Sequence, residues 1–232
     1  LGILLVALIF SKRLSAQPLP FNQSKIDSLK QIIRISTDPR EKVSACIEIA
    51  SMCMSNLTEK NQQDLIYFAR LGDSIADKNS DPQGAINSKS QLAFFYAISR
   101  DWPKSIDIIN AAIEMAKKHK LEKEELTLSL LMFINYGTQE DYVKAKEYTL
   151  KVKHHPLFTT FSDIEKWPVY MQLAMAYERL NELDSADNYI RYMQDYVERL
   201  VYEDLKINTY LIMGNVALKR KNYHEALRCY RL

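Results

Sequence analysis

The stretch DYVKAKEY, residues 141–148, sets two carboxylates, two phenols and two ammonium groups within eight positions. Such a cluster has the ingredients of a catalytic site, and equally those of a helix start with a charged coat. Its relatives along the chain decide between the two. DWPKS at 101–105, ELDSA at 182–186 and NYHEA at 222–226 repeat its first five positions as polar cap, large apolar residue, two variable residues and small residue. The small residues Ser105, Ala145, Ala186 and Ala226 follow one another at 40, 41 and 40 residues. Nine residues before each lies Tyr96, Tyr136, Tyr177 or Ala217. Three further back lies Ala93, Phe133, Ala174 or Gly214, directly preceded by Leu92, Met132, Leu173 or Met213.

A catalytic cluster has no reason to recur with its charges varied and its apolar slots kept. A fixed period of this size marks a solenoid of stacked helix pairs. Each unit reads as a helix A carrying the small residue and the Tyr, a short polar turn, and a helix B opening on an Asp, Glu or Asn cap. In this register Asp141 caps and Tyr142 and Ala145 pack. Lys144, Lys146 and Glu147 face water, and Tyr148 packs against the next helix. A weaker first copy lies 40 residues upstream at Met52, Cys53 and Leu65. Asp38–Pro39 and Asp81–Pro82 each supply a cap followed by a first-turn proline. Ser24 with Asp27 three residues on opens one more amphipathic helix, with Ile26, Leu29, Ile32 and Ile33 on one face.

The rest of the composition agrees. The chain has 232 residues, 47% of them apolar, with only five glycines and seven prolines, which favours helices over sheet. Net charge is +2, and without Lys12 and Arg13 the balance is 29 basic to 29 acidic residues. Nucleic-acid binding requires a basic surplus to displace counterions, so it is excluded as a function of this segment. Cys46 and Cys53, seven apart on one helix, are about 10 Å apart and too far for a disulfide. With Cys229 they are expected to be buried hydrophobes. His154 and His155 are adjacent and point apart, and neither they nor His119 and His224 form a metal-binding spacing. No phosphate-loop, dinucleotide, zinc-protease or nucleophile-elbow motif is present. The run KKHKLEKEE, 117–125, reads as a solvated turn between units. Trp102 takes the packing slot of Tyr142, Leu183 and Tyr223, and Tyr170, Met171 and Met175 are assigned to the core. The segment is expected to be non-enzymatic, without metal or cofactor.

The small–Tyr–small pattern resembles the tetratricopeptide repeat (TPR) family over residues 39–232, as about five helix pairs with the last incomplete. The family repeats at 34 residues and this chain at about 40, so its helices are expected to be longer by nearly a turn. Phe133 departs from the usual small slot, and Lys89, Ser129, Tyr170 and Tyr210 stand at the Trp-type position. The resemblance implies an all-α fold, a right-handed superhelical solenoid of antiparallel helix pairs, with Ala93, Tyr96, Tyr136, Ala145, Ala174, Tyr177, Ala186, Gly214 and Ala226 as repeat-packing residues. It further implies a groove lined by the A helices that binds a protein or peptide partner. The family's groove positions fall here on Asn87, Ser90, Phe94, Thr127, Leu130, Ile134, Met171, Met175, Asn208, Leu211 and Asn215. That set carries no Lys/Arg clamp for a terminal carboxylate.

The chain opens on ten apolar residues, LGILLVALIF, followed by SKRLSAQ. This is half the length of a membrane span and suits the hydrophobic part of a secretory signal over 1–17, with cleavage near Ser15–Ala16. Residues 18–23 form a linker and 24–36 a capping helix. Leu1 is not an initiator Met and the chain stops within a helix B at Leu232, so a longer parent protein is expected. The layout resembles the periplasmic input regions of membrane-tethered bacterial signalling proteins, of histidine kinase or DNA-binding regulator type. The expectation is therefore an exported, periplasmic interaction region of a Gram-negative bacterium, anchored only through a downstream span. A free-standing exported scaffold for envelope assembly and a cytoplasmic TPR regulator are the alternatives.

Overall fold

A computed structural model describes residues 23–54, 57–199 and 203–231. The proposed signal segment and all but the last residue of the linker lie outside these. Among the described residues there are eleven α-helices, one 3₁₀ turn and no strand. The first unit, residues 18–135, holds α1 (Gln23–Ile35), α2 (Pro39–Met54), α3 (Glu59–Lys78), α4 (Pro82–Ile98), α5 (Trp102–Lys118) and most of α6 (Glu122–Thr138). The second, 136–232, holds α7 (Tyr142–His154), the 3₁₀ turn Pro156–Thr160, α8 (Asp163–Arg179), α9 (Leu183–Arg199), α10 (Glu203–Lys219) and α11 (Tyr223–Tyr230). Gln23, read as linker, is the first helical residue of α1.

Within the first unit each helix packs on its successor, α1 on α2 through α4 on α5, and the A helix α2 also touches the A helix α4. Within the second unit α7 packs on α8, α8 on α9, α9 on α10 and α10 on α11, and again the A helices α8 and α10 touch. This serial order is that of an all-α helical solenoid. Helices α4, α5 and α6 have 17 residues each with three-residue joints, and that sum is the period of about 40.

The joints share one backbone device. Ser80, Arg100, Lys120, Glu140, Asn181 and Lys221 all adopt positive φ, between 53° and 64°. At each, the next residue's N–H reaches back across the helix end, as from Asp101 to the Tyr96 carbonyl and from Asp141 to Tyr136, both at 2.9 Å. These bonds satisfy helix-end carbonyls in the Schellman manner. At three of these joints the next helix opens on a side-chain cap, whereas Asp101, expected to cap, makes no such bond. Asp81 accepts from the Gly84 N–H, Asp141 from Lys144 and Asn222 from Glu225, at 3.0, 3.1 and 3.2 Å.

Close approach of helices A and B rests on the small residues. Ala93, Ala145, Ala174 and Ala186 are fully buried. The Ser105 hydroxyl donates to the Ala93 carbonyl at 2.6 Å, tying one small slot to the other. In the first copy Cys53 and Leu65 hold these slots and are equally buried. Gly214 is covered by the Tyr230 ring, which a Cβ would meet at 2.3 Å, while the Tyr230 hydroxyl donates to Asn215. Gly72 of α3 similarly admits Ser88 of α4 and Cys46 of α2. Both Cys46 and Cys53 are free, and burial pushes their thiols up to about 11.

Two outcomes follow. Glu140→Gly relieves a side chain held in the left-handed region and should raise unfolding stability by about 0.5–1 kcal/mol in urea melts. Ala186→Asp places an unpaired charge in the closed helix contact and should lower it by about 3 kcal/mol or more.

Candidate functional site

The site-forming region begins where the repetition breaks. A joint is due near residue 160, but α7 stops early at His154, before Pro156, which disfavours helix at the preceding residue. His155 is extended, and its Nδ1 accepts the Leu157 N–H at 3.3 Å, so this histidine caps the 3₁₀ turn. Ser162 and Glu165 then start α8 as a capping box. The inserted turn carries Phe158 and Phe161, both buried, against α8.

Phe158 meets Tyr170 edge-on at 5.8 Å, and Tyr170 stacks on Tyr192 at 4.9 Å and on Tyr196 at 6.2 Å. Tyr189 lies between Tyr170, at 6.1 Å, and Tyr177, at 5.6 Å with rings 10° from parallel. Helical spacing produces this: Tyr170 and Tyr177 sit two turns apart on α8, and Tyr189, Tyr192 and Tyr196 share one side of α9. Tyr170 and Tyr196 are buried, whereas Tyr192 is 53% exposed. Tyr196 donates to Asp163 Oδ1 at 3.0 Å, and Arg199 lies over its ring at 5.3 Å. Burial lifts the Tyr170 and Tyr189 phenols above their ordinary value of 10.0, with neighbouring tyrosines adding to it. Tyr196 is raised by burial and then by its bond to Asp163.

Beside the stack opens a cleft of about 540 Å³ between Lys153 of α7, Tyr177 of α8, and Ser185, Asn188, Tyr189, Arg191 and Tyr192 of α9. Its size is in the range of ligand sites, about 300–1,000 Å³. Lys146, expected to face water, instead pairs with Glu182 at 2.7 Å and lies 4.8 Å over Tyr177 at the margin of this cluster. Tyr148 stacks on Tyr136 at 5.5 Å. The Asp–Lys pairs 101/104 and 141/144 place each lysine over the preceding Tyr96 or Tyr136, so DYVKAKEY is spent on capping and packing.

The A-helix groove set is divided. Phe94, Leu130, Ile134, Met171 and Asn208 are buried, which removes them from any solvent-lined groove. Asn87, Ser90, Thr127, Met175, Leu211 and Asn215 keep partial exposure. Of these, Ser90 and Thr127 donate back to their own helices, at 2.8 and 3.0 Å, and Asn215 accepts from Tyr230. Repeat-packing residues Tyr96 and Ala226 are buried, and Tyr136 and Tyr177 are half-buried under lysines. Sequence reasoning missed the α9 cleft; its signal was the Tyr189–Tyr192–Tyr196 spacing. Among the described residues no cluster of three or more His, Cys, Asp or Glu could hold a metal, and no helix is long and apolar enough to cross a membrane.

With this geometry in hand, the chain is similar in fold to BtubC (BKLC) from P. vanneervenii, with a TM-score of 0.71 over 92% of this chain and 89% of that one. Identity is 16%, so the likeness is one of fold alone. No family model and no curated protein matches the sequence.

The raised phenols set a pH dependence. Their folded pKa values exceed the unfolded one, so their contribution to stability is complete below pH 10 and is lost as pH climbs through the folded values. Stability should therefore fall above pH 10, with phenolate absorbance appearing late for the stacked tyrosines. In Tyr196→Phe the alkaline loss should be shallower.

Proposed function

We propose that the chain is a non-catalytic, TPR-type scaffold that binds a protein or peptide partner. The observation that carries this reading is the use of its polar groups. The recurring Asp, Asn, Lys and Tyr side chains cap helices, cover rings and close pairs, as Asp141, Lys144 and Tyr136 do. What is left for solvent is a set of helix faces with an aromatic cleft on α9, and such faces recognise extended segments or helices without reacting with them. The fold likeness to BtubC agrees with a helix-pair array and carries nothing about a ligand.

The apolar leader LGILLVALIF supports an extracytoplasmic setting, in which the array serves as the sensory or interaction region of a bacterial signalling protein. A free-standing exported scaffold rests on the same leader, and the presence of a transmembrane span and an output module in the parent protein separates the two readings.

Two measurements test the proposal. A display library of random dodecapeptides selected against the purified chain should yield binders of micromolar or better affinity; no enrichment would overturn the binding role. A fusion of residues 1–20 to a reporter active only after export should be active, and cytoplasmic retention would overturn the extracytoplasmic setting.

A further inference from the structure

The cleft on α9 has a charge character of its own. Lys153, which also lies over the Phe158 ring at 5.2 Å, and Arg191 reach it, no carboxylate lines it, and among the described residues neither cation has a carboxylate within 4 Å. Several other basic residues are matched: Lys89 by Asp73, Lys146 by Glu182, Lys219 by the buried Glu178, Arg220 by Asp184 and Asp187. Arg191 shares its helix face with Asp184 and Asp187 and borders a second cleft with Asp187 and Glu225, but the two aspartates are engaged by another cation. Arg220 of α10 holds Asp184 at 2.6 Å and Asp187 at 2.8 Å. The cleft thus presents two cationic donors and no carboxylate beside stacked tyrosine faces.

The remaining lining matches known binding physics. Ser185, Asn188, Tyr189 and Tyr192 form one stripe along α9, opposite the buried stripe of Ala186, Ile190, Met193 and Val197. Tyrosine and arginine dominate the energetic centres of interfaces, and tyrosine supplies contact area at small entropic cost. Here the rings are already ordered by stacking on Tyr170 and Tyr177, so little freedom is left to lose on binding. The A helices offer no equivalent: residues 91–97 of α4 and 167–174 of α8 are buried without interruption.

We infer that the cleft between α7 and α9 takes an acidic peptide, with an Asp or Glu carboxylate bound by Lys153 and Arg191 and a neighbouring apolar side chain lying on Tyr189 and Tyr192. This rests on the reading of the chain as a partner-binding scaffold and moves the contact from the A helices to the B helices. Charge-assisted bonds to the carboxylate supply specificity, and the ring faces supply area.

The dodecapeptide selection tests it, followed by titration of an enriched peptide against three variants: Lys153→Glu/Arg191→Glu, the exposed Tyr192→Ala, and Asn87→Ala/Thr127→Ala on the A helices. Far-ultraviolet melts verify that each variant is folded. Expected are sequences enriched in Asp or Glu next to an apolar residue, and affinity that weakens with added salt. The charge reversal should reduce affinity by about tenfold or more and Tyr192→Ala by several-fold, while the A-helix pair leaves it unchanged. Enriched peptides without acidic bias, or binding lost only in the A-helix variant, would overturn the cleft assignment and leave the scaffold reading intact. No enriched peptide at all would overturn both.

Discussion

How near two helix backbones can come is the constraint on which the array depends. Where Ser105 reaches the Ala93 carbonyl at 2.6 Å, helix B lies almost against the main chain of helix A. A larger residue in either slot would hold the two apart, and the large residues flanking them would lose their partners. Ala145, Ala174 and Ala186 meet the same requirement by having nothing beyond Cβ, and Gly214 by having no Cβ under the Tyr230 ring. Phe133 is buried in a nominally small slot, so that position is not held to a small residue in every copy.

The second requirement is that successive helices reverse direction in three residues. Six residues in the left-handed region do this, and none is glycine. Each carries a conformational cost of about 1–2 kcal/mol, which the paired carbonyl bonds at the helix end and the following cap offset. The cost also explains why the joints were hard to locate. A glycine there would have announced the turn, whereas Arg100, Lys120 and Glu140 look like ordinary surface residues. What located the joints was the cap-type residue that follows: Asp81, Asp141 and Asn222, which accept the capping bond, and Asp101, which does not.

The same distinction separates what could be read from the sequence from what could not. Positions filled by size, such as Ala93, Tyr96 and Ala186, recur at one period and were legible because packing admits few residue types. The faces open to solvent were not. The A helices are enclosed on nearly all sides, so α4 and α8 carry no polar stripe to distinguish a groove from a core. Carrying the family's groove positions onto the A helices therefore selected Phe94, Met171 and Asn208, which are buried. The B helices are amphipathic, and α9 shows plainly which side is buried. Lys146 was misplaced for a different reason: helical register gives a direction, and the partner at the end of it, Glu182, is set by tertiary packing.

The aromatic cleft arises where the repeat is violated. Shortening α7 and inserting Pro156–Thr160 removes a regular joint, and Phe158 and Phe161 fill the space against α8. Tyr170, at a slot held by Lys89, Ser129 or Tyr210 in other copies, takes Phe158 on its edge and the α9 tyrosines on its face. The irregular turn is therefore what orders the stack, and the stack is what keeps Tyr189 and Tyr192 in fixed positions beside Lys153 and Arg191. In an array whose other departures from repetition are small, the one that costs a whole joint is also the one that builds a preformed surface. Sequences that agree with their fold at every level break their own rules chiefly where function asks for it, and this is the place on the described chain where that break is largest.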